Sequence, residues 1–325
     1  MTRLPIFLAC LVLLLGSGAA PPVVSDEPPW LLVANKNGDS LYFVDAASLR
    51  VEDSVATGRS PHEVAAAPER DRAYVANYGA GTITVVDVAE RRVAATWPLE
   101  GYERPHGIAV GPAEEHVYVT AEDAQAVLEL DAETGTVLRT FETGKDGTHM
   151  LALSPSGDRL YTTSIGSGTL SVVDLDSGQV QTHVRTGKGA EGVAVTPDGA
   201  AVWVTNRADD TVSMFDPSRG AITDTMAVSG FPIRVAVQPS GDHAVVSTPR
   251  AGGIVVFDAQ ARTPVQRMET GAKPIGVLVR PDRPQAYVAN AGSKTVSVID
   301  LNALTVADTV AVGKAPDGMA FVPAK

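Results

Sequence analysis

Cysteine is almost missing from this chain. The single one, Cys10, stands inside an apolar N-terminal stretch. One isolated thiol excludes disulfide staples, thiolate metal sites and haem attachment through C-x-x-C-H, and a cysteine lost with that stretch cannot serve as a nucleophile. Aromatic residues are scarce at 5%, so a core must be built largely from Val, Ala, Leu and Ile. Cationic charge is in deficit, with 26 Lys and Arg against 38 Asp and Glu, a net −12. Nucleic-acid binding relies on cationic surface to displace counterions, so no nucleic-acid partner is expected. No apolar run of about 18 residues follows the N-terminal stretch, so no stable membrane insertion is expected once that stretch is removed. The chain also lacks a G-x-S-x-G elbow, a phosphate-cradling G-x-x-x-x-G-K-[ST] loop and an H-E-x-x-H pair.

The opening MTRLPIFLACLVLLLGSGAA reads as an export signal. Arg3 supplies a positive n-region, Leu4 to Leu15 an apolar h-region, and Ser17 to Ala20 a small-residue cleavage region. Residues 1–20 are therefore expected to be cleaved, 21–29 to form a Pro-rich linker, and 30–325 to fold as one domain. The mature protein is expected to be periplasmic or secreted, and monomeric.

What the chain has in abundance is repetition. L-V-A-N at 32–35 recurs as Y-V-A-N at 74–77, Y-V-T-A at 118–121 and Y-T-T-S at 161–164. It continues as W-V-T-N at 203–206, V-V-S-T at 245–248 and Y-V-A-N at 287–290. A second marker keeps the same phase, an apolar run ending in Asp45, Asp87, Asp131, Asp174, Asp216, Asp258 and Asp300. Each copy divides into four short β-branched segments separated by Gly/Pro turn signals such as S-P-S-G (154–157) and T-P-D-G (196–199). A four-strand unit repeating about every 40–45 residues is the pattern of a β-propeller blade.

Seven copies predict an all-β, seven-bladed β-propeller with four antiparallel strands per blade. The chain enters on a second strand and ends on a first strand, G-M-A-F-V at 318–322. The C-terminal strand should therefore join the N-terminal three strands and close the ring. On these motifs, and over essentially the whole mature chain, the sequence resembles the YVTN family of seven-bladed propellers. The resemblance implies the fold. For function it implies an exported binding or scaffold module, with enzymes among related propellers.

Seven aligned copies separate architecture from site. The Asp ending every third segment is a turn residue, placed to bond turn amides. The position opening the first strand varies instead: His62, His106, His149, Glu191, Ile233, Ile275, Asp317. In a closed ring Asp317 neighbours His62, so five consecutive blades carry ionisable residues and two carry Ile. Loops after the second strand bring Lys36, Tyr78, Glu122, Asp123, Arg207 and Arg250 to the same rim, and Arg104, Asp146 and Arg234 flank the column.

Several readings of this arc stand open. One is a ligand site for a small molecule, peptide or protein on the rim, with Arg234, Arg207, Tyr78, Lys36, Ile233 and Ile275 as contacts. Three imidazoles suit a transition metal, Zn, Cu, Fe or Mn, held by His62, His106 and His149. A metal-dependent oxidoreductase, hydrolase or lyase would then use Glu191 or Asp317 as ligand or base. Without a metal, a His beside a carboxylate can serve as a general base, and a hydrated funnel needs no more than polarity. His116 and His243 on the opposite rim, and His183 on an outer strand, are expected at the surface and outside the arc.

Overall fold

The computed structural model describes residues 27–325, so the expected signal and most of the linker lie outside the described residues. Seven four-stranded antiparallel sheets are arranged as blades. Blade 1 joins the innermost strand Pro316–Val322 to Trp30–Asn35, Ser40–Asp45 and Arg50–Ala56. Its register, with Trp30 opposite Val322 and Leu32 opposite Ala320, is the closure expected from the phase of the repeat. Blades 2 to 5 begin on the innermost strands Pro61–Ala67, Pro105–Val110, Thr148–Leu153 and Ala190–Val195. Blades 6 and 7 begin on Val235–Val237 and Pro274–Val279. One 3-10 turn, Pro68–Arg70, interrupts the strands, and no described helix is long and apolar enough to cross a membrane.

The repeated motif explains itself in this packing. Side chains alternate across a strand, and each second strand lies between two neighbouring blades. Tyr74 and Ala76 therefore pack toward Val117, Val119 and Leu128 of blade 3, whereas Ala73 and Val75 pack toward Leu32 and Phe43 of blade 1. Both faces are buried, so the strand is apolar throughout rather than alternating. The motif's Asn is a bolt. Asn77 Nδ2 donates to Thr82 and Thr84 hydroxyls at 3.0 and 2.8 Å, and Asn206 and Asn290 repeat the pattern on Thr211 and Ser213 and on Thr295 and Ser297. A β-carbon on Gly58 would lie 2.8 Å from Asn77 Cγ, which is why Gly accompanies this Asn.

The Asp column does what its turn position predicts. Asp131 accepts from the amides of Glu133 and Thr134 at 3.0 and 2.8 Å, and Asp300 from those of Asn302 and Ala303 at 2.8 and 2.9 Å. These carboxylates are satisfied within their own turns.

Candidate functional site at the channel mouth

The variable column sits on a structural irregularity. In blades 2 to 5 and 7 and in the closing blade, the register between first and second strands shifts across the column residue. A bulge of this kind re-aims a side chain out of the sheet. The motif's third residue fixes the carbonyl behind it: Thr120 Oγ1 donates to the His149 carbonyl at 2.6 Å, Thr205 to Ile233 at 2.8 Å and Ser247 to Ile275 at 2.7 Å. Thr163 does the same for Glu191, so blades 3 to 6 each hold the next blade's column residue in place. Ile233 is the exception in strand assignment, because it precedes its shortened strand by two residues.

Three imidazoles from consecutive blades meet in one stack. Ring centroids are 3.8 Å apart for His62 and His106, and 3.5 Å for His106 and His149. His62 Nδ1 faces Asp317 Oδ2 at 3.2 Å. Its other nitrogen, Nε2, meets the Lys36 ammonium. His149 is flanked by acids, with Glu122 at 3.5 Å from Nδ1 and Glu191 at 3.7 Å from Nε2. His106 is 0% exposed, and both of its ring nitrogens lack a hydrogen-bond partner among the described residues. Tyr78 stands edge-on to His62 and His106, with centroids 5.5 and 5.8 Å away.

A second storey covers the first. In every blade but the sixth, where Pro249 has no N–H to give, the residue after the motif bonds its amide to the loop ahead of the inner strand, as Lys36 does to Ala315, Tyr78 to Ser60, Glu122 to Arg104 and Arg207 to Gly189. This geometry suspends Lys36, Tyr78, Glu122 and Arg207 over the arc. The remaining members of that column are Ile165, Pro249 and Ala291.

Beneath them a buried arginine crosses the channel. Arg234 of blade 6 donates from Nη2 to Glu63 of blade 2 at 2.6 Å and from Nη1 to Glu191 of blade 5 at 3.2 Å. Named from the sequence as a ligand contact, Arg234 has its guanidinium occupied by two protein carboxylates. Arg207 also bonds Glu191, at 2.8 Å, but remains half-buried beside Phe231. Ile233 is buried and Ile275 half-buried, and they supply the apolar part of the column.

Burial sets the electrostatics. It pushes the His62 and His106 imidazoles well below their ordinary value, aided by Lys36 and Arg234 at His62 and by the neighbouring imidazoles at His106. Burial also raises Asp317 to about 7, against the pull of Arg234. Glu191 feels the same burial penalty, yet its His149, Arg234 and Arg207 partners hold it below the usual carboxylate range.

The donors that come within coordinating reach are not the three histidines. One ligand atom from each of His62, Glu63 and His106 lies within 4.8 Å of the others, whereas both nitrogens of His149 are turned to carboxylates. Two imidazoles and a carboxylate suit a first-row transition metal and leave coordination positions free. The three remaining histidines stay away from the arc, as expected; His183 is exposed, whereas His116 and His243 are half-buried rather than free at the surface. His116 pairs with Glu129, His183 with Ser171 and His243 with Gln238.

Comparison with known families matches residues 16–324 to the YNCE-like beta-propellers. The chain belongs to that family. Among solved structures it is similar to Kuenenia stuttgartiensis hydrazine synthase, at 22% identity and a TM-score of 0.74 over 89% of this chain and 99% of that one. A functionally unknown protein from Desulfotomaculum acetoxidans matches at 13% identity and a TM-score of 0.78, over 91% of this chain and 99% of that one. The dihydro-heme d1 dehydrogenase NirN, solved in complex with DHE, matches at 14% identity and a TM-score of 0.69, over 93% and 77%. These likenesses show the fold. No curated protein matches significantly.

Within this YNCE-like propeller, Glu63 is a site residue that lies outside the variable column. Its signal lay one position further on, in the series Glu63, Gly107, Met150, Gly192, Arg234, Gly276, Gly318. Glycine is favoured there because the next inner strand is close: a β-carbon on Gly192 would lie 2.4 Å from the Ile233 carbonyl oxygen. The two charged departures from that glycine series, Glu63 and Arg234, are partners across the channel.

Proposed function

We propose that this propeller is a binding module whose channel mouth holds a transition-metal ion, with His62, His106 and Glu63 as its protein ligands. The observation that carries the reading is His106, a fully buried imidazole with neither nitrogen satisfied. Buried polar atoms are paired in the great majority of cases, and a metal ion would satisfy one of these. Glu63 supports the reading because its Oε1 is held by Arg234, leaving the carboxylate oriented and its second oxygen available. Asp317 beside His62 Nδ1 has the place of the carboxylate that commonly orients a metal-bound imidazole.

The mixed nitrogen and oxygen donors fit Zn, Fe, Mn or Cu better than Mg or Ca. The test is the metal content of the mature chain purified without a histidine tag, beside a variant carrying His62→Ala and His106→Ala. Near-stoichiometric metal in the native protein and its loss in the variant are expected. If the native protein takes up neither Zn2+, Co2+ nor Cu2+ on equilibrium dialysis while remaining folded, the reading is wrong.

A further inference from the structure

Lys36 meets the metal-binding set in an unusual way. An ammonium offers only donors, so the nitrogen facing it must present a lone pair. That nitrogen is His62 Nε2. The opposite nitrogen, Nδ1, faces Asp317 at 3.2 Å and is the one placed to carry the ring proton. The lone pair that Lys36 occupies is therefore the one His62 would give to a metal.

Building on the metal-binding reading, we infer that Lys36 is an exchangeable counter-cation, which leaves His62 for solvent when a divalent transition-metal ion takes the same lone pair. Sterics and charge both require the exchange. An ammonium and a divalent ion cannot share one lone pair, and at contact distance they repel strongly in a water-poor site. Leaving the imidazoles aside, four carboxyl groups (Glu63, Glu122, Glu191 and Asp317) converge with three cations (Lys36, Arg207 and Arg234). Adding a divalent ion to all three would leave one positive charge in excess. With Lys36 withdrawn and all four carboxyl groups ionised, the formal count is even.

The three cations are not equally free to move. Arg234 is tied to two carboxylates inside the channel and Arg207 to one. Lys36 is half-buried on the exposed loop of residues 36–39, and its Nζ bonds a neutral acceptor rather than an acid. Its four-carbon stem allows the charge to reach water without moving the backbone.

The experiment uses the tag-free mature chain, with Co2+ as the probe. Lys36→Met keeps the stem and removes the charge, and is expected to bind Co2+ at least about tenfold more tightly than the native protein, ~1.4 kcal/mol. Lys36→Arg, which keeps a cation, should show no such gain. On the native protein, acetylation of Lys36 followed by mass spectrometry should accelerate several-fold when Co2+ is bound, with Lys188 and Lys314 as unchanged internal references. This measurement stands even if Lys36→Met fails to fold. Lys36 reactivity that does not respond to bound Co2+ overturns the exchange and leaves the metal site intact. Absence of Co2+ and Zn2+ binding in both the native protein and Lys36→Met overturns the exchange and the metal reading together.

Discussion

The two mouths of the channel use the same residue types under opposite physical regimes. At one mouth, Asp258 accepts from the amides of Gln260 and Ala261 at 3.0 and 2.7 Å, and equivalent turn contacts recur at Asp45 and Asp216. Each such carboxylate is satisfied by its own turn and remains near solvent. At the other mouth, Asp317 from the C-terminal strand faces His62, and Arg234 spans from blade 6 to blades 2 and 5. There no group is satisfied by its own loop, and desolvation raises the cost of leaving any of them unpaired. A local carboxylate is architecture repeated seven times, whereas a convergent one belongs to a network in which each member sets the state of the others.

The largest expected effect breaks that network at its centre. Arg234→Met removes the cation that separates Glu63 from Glu191 and leaves two carboxylates buried against each other. Removing one partner of a buried ion pair typically costs about 3–5 kcal/mol. Urea unfolding should show a loss of that order, with partial recovery when Glu63→Gln is added to the same protein. A loss below about 1 kcal/mol would mean that water already screens the channel, and the contrast between the mouths would collapse.

A smaller effect tests the desolvation itself. Burial holds Asp317 up to about 7 while the unfolded chain titrates it near the ordinary value of about 4. Between these values the folded protein carries a proton that the unfolded chain has lost. The stability Asp317 contributes is therefore complete below about pH 4 and disappears as pH rises through about 7. His62 and His106 act in the other direction, since their lowered values give stability that is present above about pH 6.5 and lost on acidification. Asp317→Asn keeps both imidazoles and removes only the falling component. The stability of Asp317→Asn relative to the native protein should thus increase from pH 4 to pH 7, by on the order of 2–3 kcal/mol after allowance for the Arg234, Lys36, Glu63 and Glu191 charges around it. A difference independent of pH would show that Asp317 is ionised and solvated, like the turn Asp residues.

What was legible beforehand follows the same division. Periodicity is a local signal, so the blade count, the Asp turns and the closure through residues 318–322 could all be read from spacing. The five-blade ionisable arc was also legible, because the repeat places every column residue at one height. Pairings across the channel were not. Arg234 and Glu63 are 171 residues apart, and nothing in either segment announces the other. That Glu63 rather than His149 comes within reach of His62 and His106 has the same origin, since both nitrogens of His149 face Glu122 and Glu191 instead. The missing information was side-chain direction at a bulge, which a column of letters does not encode.

The smallest effect completes the contrast from the other mouth. Asp258→Ala deletes two amide contacts in a turn whose freed N–H groups can bond water instead. The net value of such hydrogen bonds is about 0.5–1.5 kcal/mol in total, a lowering of Tm by roughly 1–4 °C in a domain of this size. Co2+ binding at the far mouth should be unchanged, because the turn is tied to no member of the arc. Equal losses from Asp258→Ala and Arg234→Met would show that position within the repeat, rather than convergence across it, governs what a charged residue does in this propeller. A shift in Co2+ affinity with Asp258→Ala would show instead that the blades transmit strain along their strands from one mouth to the other.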